Sequence, residues 1–502
     1  MKNRIIFWSD AFLLHFCLAY YLQSKYDADY YAIFDVTDKP KNFFLNQKLV
    51  DFKKTWFYHD SIKIKSKPDL SYLSNFEQKY NIDLWKIAIN ERLFYRFNNF
   101  YKFSDEEILS ILENECKFYE KILDEVKPNF LIAERPPYHH NHLFYEICKS
   151  KKIKIILLSQ SRLAYKSILG KHSYLLDSID DYENIEGKNR TLEELQNYLK
   201  SSSVSKQIKD FKNKFTTSRI KKIKAANDYL LFSGNENLKT HYSYFGRTKY
   251  RVLSHAIKSN FKKKYRNYFI NKKLLSKIEH NEQFVYFPLA MDEERNLLIG
   301  APFFTNQIET IRHIAKSLPV NHKLYVKEHY NVAIRDWRPI SDYEKIIDIP
   351  NVKLFHPSVS NDELLRKSSL VITVGGTSGF EAAFYGKPSI ILTDTNYSIL
   401  PSVHKVTSLD DFPSIIRNSL KKKVDPNSLD KFIQILEKDS INFDLYGFMT
   451  KMHEHFYYDG NLVNVDFSDS IMHSFLEKNK NELESLADAH KHKIIQYNDE
   501  LD

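Results

Sequence analysis

Short apolar runs alternate with helix-period segments twice along the chain, and a long lysine-rich stretch separates the two blocks. In the first block "RIIFWSD" (Arg4 to Asp10), "YYAIFDV" (Tyr30 to Val36), "TWFYHD" (Thr55 to Asp60), "NFLIAER" (Asn129 to Arg135) and "IKIILLS" (Ile153 to Ser159) read as strands. Helical spacing of apolar residues follows from Ala11 to Ser24, around Glu106 to Val126, and around His142 to Ser150. The second block repeats the pattern with "FVYFPL" (Phe284 to Leu289), "KLYVKEH" (Lys323 to His329), "VKLFHP", "LVITV" (Leu370 to Val374) and "PSIILTD" as strands. Its helices are "TNQIETIRHIAKSL", "SNDELLRKS" and the segment after Gly376. Strands that are apolar throughout and separated by helices predict parallel sheets covered on both faces.

Length supports this division, since 502 residues exceed what one hydrophobic core usually holds. We read residues 1–165 as an N-terminal Rossmann-like domain and 166–280 as a helical, lysine-rich insertion or bridge containing "SSSVSKQIKDFKNKF". Residues 281–425 read as a second, C-terminal Rossmann-like domain and 426–502 as a helical tail packing across both. The fold class expected is therefore α/β with two Rossmann-like domains facing a cleft, where open sheets bind ligands at the carboxyl ends of their strands.

Charge adds a surface to this picture. The net +10 is concentrated in runs such as Lys258 to Lys273, with no nucleic-acid motif, so the basic region reads either as a solvated face or as a contact with an anionic inner membrane surface. Cys17, Cys116 and Cys148 lie far apart without metal spacing and read as reduced core residues of a cytoplasmic protein, peripheral to the membrane at most. The apolar start has Asp10 within it and no small-residue cleavage site after it, which suits a strand and helix better than a signal peptide. No apolar run reaches membrane-spanning length.

Candidate chemistry clusters at strand ends of the second block. Only 11 glycines occur in the chain, and Gly375, Gly376, Gly379 and Gly386 fall together after "LVITV". Gly375 and Gly376 are expected to supply conformations other residues resist, Thr377 or Ser378 to cap the helix, and Gly379 to leave room for an anion at the helix start. Glu381, expected in the first turn, would accept from ribose hydroxyls; Gly386-Lys387-Pro388 would stop the helix. Lys327, Glu328, His329 and Arg335 follow another strand and can neutralise a diphosphate, although singly each is also an ordinary charged residue. In the first block Glu134 closes a strand, with Arg135, His139, His140 and Arg162 nearby, and Asp10 closes another; either carboxylate can serve as a general base, and Asp10 can instead cap the first helix. The His139-His140 pair lacks the further ligands a metal site needs.

The succession "FPL…EERNLL…TNQ…LYVKEHY…IPNVKLFHP…NDELLRKSSLVITVGGTSGFEAAFYGKPSIIL…NYSILPSV" (Phe284 to Val403) resembles the bacterial capsule and surface-polysaccharide biosynthesis proteins, relatives of the capsule Kdo transferases. "KPNFLIAERPPYHHNHLFYEICKSKKIKIILLSQSRL" resembles them more weakly. The resemblance implies a GT-B-type glycosyltransferase of hexosyl or Kdo/sialic-acid-like sugars, using a nucleotide-sugar donor and a glycan or lipid-linked acceptor, with no obligatory cofactor or metal. It implies that Lys327, Glu328 and His329 line the donor site, Gly376, Thr377, Ser378 and Gly379 cradle its phosphate or carboxylate, and Glu294 lies near the cleft floor, with Glu134, Asp10 and His329 as catalytic candidates. Tyr330 stands where the family usually has proline, which leaves the donor open between CMP- and UDP-linked forms. Rival readings are a sugar-nucleotide 2-epimerase, a polyol-phosphate transferase, and a non-catalytic scaffold of a capsule assembly complex.

Overall fold

Alternate residues of the first apolar run enter different cores, which is why no polar positions interrupt it. In β1 (Asn3–Asp10) Ile5 and Phe7 belong to one apolar cluster, Ile6 and Trp8 to another. The structure is a computed structural model that describes residues 2–64, 67–94, 96–204, 206–207, 218–232, 234, 237–279, 282–333 and 338–500. Much of the stretch from Ser201 to Phe215, and Arg335, lie outside the described residues.

Helix α1 (Leu14–Leu22) starts later than the apolar spacing suggests. The chain first makes a turn in which Leu13 N–H donates to the Asp10 carbonyl (3.1 Å) and Leu13 takes a φ of 57°. There follow β2 (Ala28–Asp35), β3 (Phe52–Phe57), α2 (Asp105–Val126), β4 (Phe130–Glu134), α3 (His139–Ser150), β5 (Lys154–Gln160) and β6 (Ser167–Gly170). The first sheet has the order β13-β6-β5-β4-β1-β2-β3, with β13 formed by Ser440–Ile441. Strands β1 to β5 are parallel, while β6 runs antiparallel to β5 and β13 to β6.

Helices α4 (Arg219–Phe232) and α5 (Lys249–Lys273) then carry the chain to the second sheet, whose core takes in Ile270 and Leu274. Here β7 (Phe284–Pro288), α6 (Gln307–Ser317), β8 (Lys323–Lys327), β9 (Val352–Phe355), β10 (Leu370–Thr373), α7 (Thr377–Phe384), β11 (Ser389–Ile391) and β12 (Val403–Lys405) form an all-parallel sheet of order β12-β11-β10-β7-β8-β9. Each sheet therefore reverses its strand order next to its first strand, between β1 and β4 in one and between β7 and β10 in the other. Such points open a crevice at the strand carboxyl ends. Two Rossmann-like sheets sharing a cleft are the architecture the sequence pattern led us to expect.

The chain then returns. Helix α8 (Pro426–Lys438) packs Leu429, Phe432 and Leu436 against Phe380 and Phe384 of α7, and β13 joins the first sheet. Helices α9 (Leu445–Phe456), α10 (Asp469–Lys478) and α11 (Lys480–Asp499) place Phe448, Phe475, Leu483 and Ile494 in the cluster that also holds Phe16 and Leu18 of α1. No helix among the described residues is long and apolar enough to cross a membrane.

Candidate active site

Lys327 ends β8 beside the switch point of the second sheet, and only 8% of it is exposed. Among the described residues it forms no ion pair; burial pulls its ammonium below the usual lysine range, opposed by the charges of Glu381, Asp362 and Glu328. A buried cation in that condition favours any anion that reaches it. Lys327 lines a cavity of about 530 Å³ with Glu294, Glu328, His329, Tyr330, Gly375, Gly376, Thr377, Ser378 and Glu381. Arg162 between β5 and β6, Val204 beyond β6, and Tyr446 on α9 line it from the other side.

The glycines work differently from the expectation. Gly375, Gly376 and Gly379 do not adopt positive φ; among these four only Gly386 does, at 69°, where the helix stops. A Cβ on Gly379 would lie 2.7 Å from the Tyr397 hydroxyl, so this glycine admits the loop after β11 and not the anion. Neither Thr377 nor Ser378 caps α7, because the helix begins at Thr377 and its N-cap is Gly376, without a side-chain cap bond. The first-turn N–H groups at the cavity are thus left for a ligand. Glu381 lies one turn further in than expected, removing its repulsion for an anion at the helix start. It accepts from Asn361 Nδ2 (3.2 Å), and Asn361 Oδ1 accepts from Tyr286 (2.7 Å) at the cavity wall.

His329 Nδ1 accepts from the Asn331 N–H (3.2 Å), which places the proton of the neutral ring on Nε2 as a donor. Glu328 is engaged otherwise. Its Oε1 accepts from His329 N–H (2.6 Å) and its Oε2 pairs with Arg338 Nε (3.0 Å), whose Nη1 is 3.3 Å from Asp292 Oδ2. This buried network fixes the loop that carries His329. Arg338 was missed by sequence reasoning because nothing in its neighbourhood marks it as buried, and Tyr446 because it comes from a remote helix.

Across the cleft, Asp10 and Glu134 end β1 and β4, the two strands of the first switch point. Burial, and then the charge of Asp35, pushes the Asp10 carboxyl up to about 7. Burial, and then the charge of Asp10, pushes Glu134 up to about 8. Asp10 Oδ1 accepts from Phe12 N–H (2.9 Å), bracing the turn before α1. Asp35 differs: burial opposes its charge, but His140 (2.8 Å) and His59 (3.0 Å) outweigh that and hold it well below the usual carboxylate range.

His139 sits between Glu91 (Nδ1 to Oε2, 3.0 Å) and Glu115 (Nε2 to Oε1, 3.0 Å), which leaves neither ring nitrogen for a ligand. Burial works against its charge, yet the two carboxylates push it up to about 10. His140 is stacked between Tyr58 (4.5 Å) and Tyr138 (5.5 Å) and bonded to Asp35. Both histidines build the wall behind the acidic pair.

Comparison with known proteins places this geometry in context. A family model described as capsule polysaccharide biosynthesis protein matches residues 186–444. Among solved structures, the beta Kdo 2,7 transferase of KpsC from Thermosulfurimonas dismutans is 12% identical, with 71% of this chain and 87% of that chain covered and a TM-score of 0.30. The beta Kdo 2,4 transferase of the same protein is 11% identical over 61% of this chain and 79% of that one, with a TM-score of 0.31. UDP-GlcNAc 2-epimerase from Methanocaldococcus jannaschii is 14% identical over 87% of this chain and 100% of that one, with a TM-score of 0.25. A search of curated proteins finds none that matches in sequence.

Proposed function

Because the chain belongs to the capsule polysaccharide biosynthesis protein family, we propose that it is a glycosyltransferase moving a sugar from a nucleotide donor to a glycan or lipid-linked acceptor. One observation carries this reading: Tyr446, on the wall of the Lys327 cavity, feels the charges of both Glu294 and Glu134, so the protonatable carboxylate pair at one switch point adjoins a cavity at the other that holds open helix-start N–H groups and a buried lysine with no ion pair among the described residues.

The donor's phosphate groups lie over Lys327, the Thr377 and Ser378 N–H groups and the His329 Nε2–H, with Glu381 and Asn361 toward its nucleoside. Glu134, with Asp10 beside it, takes the proton from the acceptor hydroxyl as that oxygen bonds to the anomeric carbon. The bond from that carbon to the phosphate oxygen breaks, and the negative charge arrives where fixed positive groups already stand. Glu294 and Tyr446 border the sugar's path between the two.

The acceptor side has a second support. Along α5 the side chains Tyr250, Ile257, Phe261, Tyr265 and Tyr268 fall on one face and are 81%, 59%, 68%, 68% and 62% exposed. The helix carries nine Lys and Arg and no acidic residue, so a second copy would be repelled while an anionic bilayer would be attracted. Placed there, the enzyme would meet a lipid-linked acceptor at the membrane surface.

The test is thermal stabilisation by CMP, UDP, GDP, CDP and their sugar conjugates, on the wild type and on His329→Ala. We expect one nucleotide class to raise the melting temperature of the wild type and to lose most of that effect in the variant. Conversion of UDP-GlcNAc without any acceptor would replace the transferase by an epimerase, and silence across the panel would sink the donor site.

A further inference from the structure

Arg135 follows Glu134 at the end of β4, and Arg295 follows Glu294 at the cavity edge. Their guanidinium carbons lie 5.2 Å and 5.3 Å from the centre of the same Tyr174 ring. Two like charges sharing one aromatic ring repel, and nothing among the described residues compensates them. Elsewhere Arg92, Arg190, Arg312 and Arg338 do form ion pairs.

Hydrogen bonding leaves the same gap. Arg295 Nε donates to the Pro136 carbonyl (2.6 Å), which anchors the side chain across the domain boundary, but its terminal nitrogens are buried with only the Tyr174 side chain close by as an acceptor among the described residues. Arg135 Nε is buried with no partner among the described residues, and Ser173 Oγ, next to Tyr174, has only the Tyr145 side chain nearby. Orphaned buried donors are rare, and several around one ring need an explanation. Burial, and then the charge of Arg295, pulls the Arg135 guanidinium well below the usual arginine range, with Arg162 adding to the effect. An oxyanion among these groups would satisfy the donors and cancel the repulsion together, and planar forks suit it.

We propose that Arg135, Arg295 and Ser173, with Arg162 behind them, form a second oxyanion site that holds a carboxylate or phosphate of the acceptor between Glu134 and the donor cavity. The word acceptor rests on the transferase reading; the oxyanion site does not. An acidic sugar or a lipid phosphate bound there would set the acceptor hydroxyl over Glu134.

Inorganic phosphate is the probe, with sodium chloride at equal ionic strength as reference, on the wild type, Arg135→Gln, Arg295→Gln and Lys327→Ala, each with and without saturating nucleotide. We expect phosphate to stabilise the wild type and Lys327→Ala, and its apparent affinity to fall about tenfold or more in each arginine variant. In chloride alone Arg135→Gln should melt no lower than the wild type, since it removes an uncompensated charge; if one variant fails to fold, the other decides. Acetate separates the sources: stabilisation by acetate as well points to an acidic sugar, by phosphate alone to a phosphate-bearing lipid. No phosphate-specific shift, or a shift lost in Lys327→Ala but kept in the arginine variants, overturns the proposal. A phosphate shift that survives while no nucleotide stabilises the protein would remove the donor site and leave this one standing.

Discussion

Glu134 holds its proton more tightly in the folded protein than in the unfolded chain, and the sign of that difference sets two outcomes. As a base it must be ionised, so transfer should rise with pH through about 8. Its raised carboxyl contributes stability below the ordinary glutamate range, about pH 4, and that contribution is lost as pH climbs toward about 8. Glu134→Gln should therefore lose two to four orders of magnitude in rate, at the order-of-magnitude level usual for a general base. The same variant should melt at or above the wild type at pH values past about 8, while keeping its nucleotide-dependent stabilisation. Rate retention within about tenfold, or a lower melting point in alkali, would remove Glu134 from the mechanism. Residues of this kind are legible in sequence because a polar group ending an apolar run must emerge at the strand's carboxyl end. Their partners are not, since Arg338, Arg295 and Tyr446 become site residues only when segments distant in sequence close over the sheets.

Helix α7 shows where element-level reading succeeds and where it fails. The strand-turn-helix was visible in "LVITVGGTSGF", because an apolar run and a helical period meet there. The reason for the glycines was not, since it lies in Tyr397, whose hydroxyl donates to the Gly376 carbonyl (2.5 Å) and would meet a Cβ on Gly379. Gly379→Ala should cost about 1–3 kcal/mol of stability by overpacking. Tyr397→Phe should recover part of that loss in the double variant, a coupling that urea unfolding of all four proteins would measure. Additive effects, or a Gly379→Ala change below about 0.5 kcal/mol, would return the glycine to the role of making room for a ligand. The short strand β6 escaped the sequence reading as well, because four residues give too little periodicity to separate a strand from a loop.

At the scale of the molecule, both Rossmann-like blocks could be read from alternation, and residues 426–502 were expected as a helical tail across both, but which sheet each final helix covers could not be read. Amphipathic helices declare which face is apolar but not which sheet will cover it. The face of α5 that remains uncovered gives the membrane reading its test: the wild type should co-float with vesicles rich in phosphatidylglycerol, less so as salt rises. A Phe261→Ser, Tyr265→Ser, Tyr268→Ser variant should stay in solution with its nucleotide stabilisation intact. Flotation by the variant, or none by the wild type, would make α5 an ordinary solvated helix. The returning helices carry a different implication. Phe448, Phe475, Leu483 and Ile494 complete the core begun by Ile5 and Phe16, so that core cannot close until more than four hundred further residues have left the ribosome. The second sheet, assembled from neighbouring segments, is free to fold during synthesis, while the first waits with its apolar face open. The half of the cleft that carries Glu134 and Asp10 is thus the last to be finished, and on the transferase reading a newborn chain has a place for the donor before it has a completed wall to place the acceptor against.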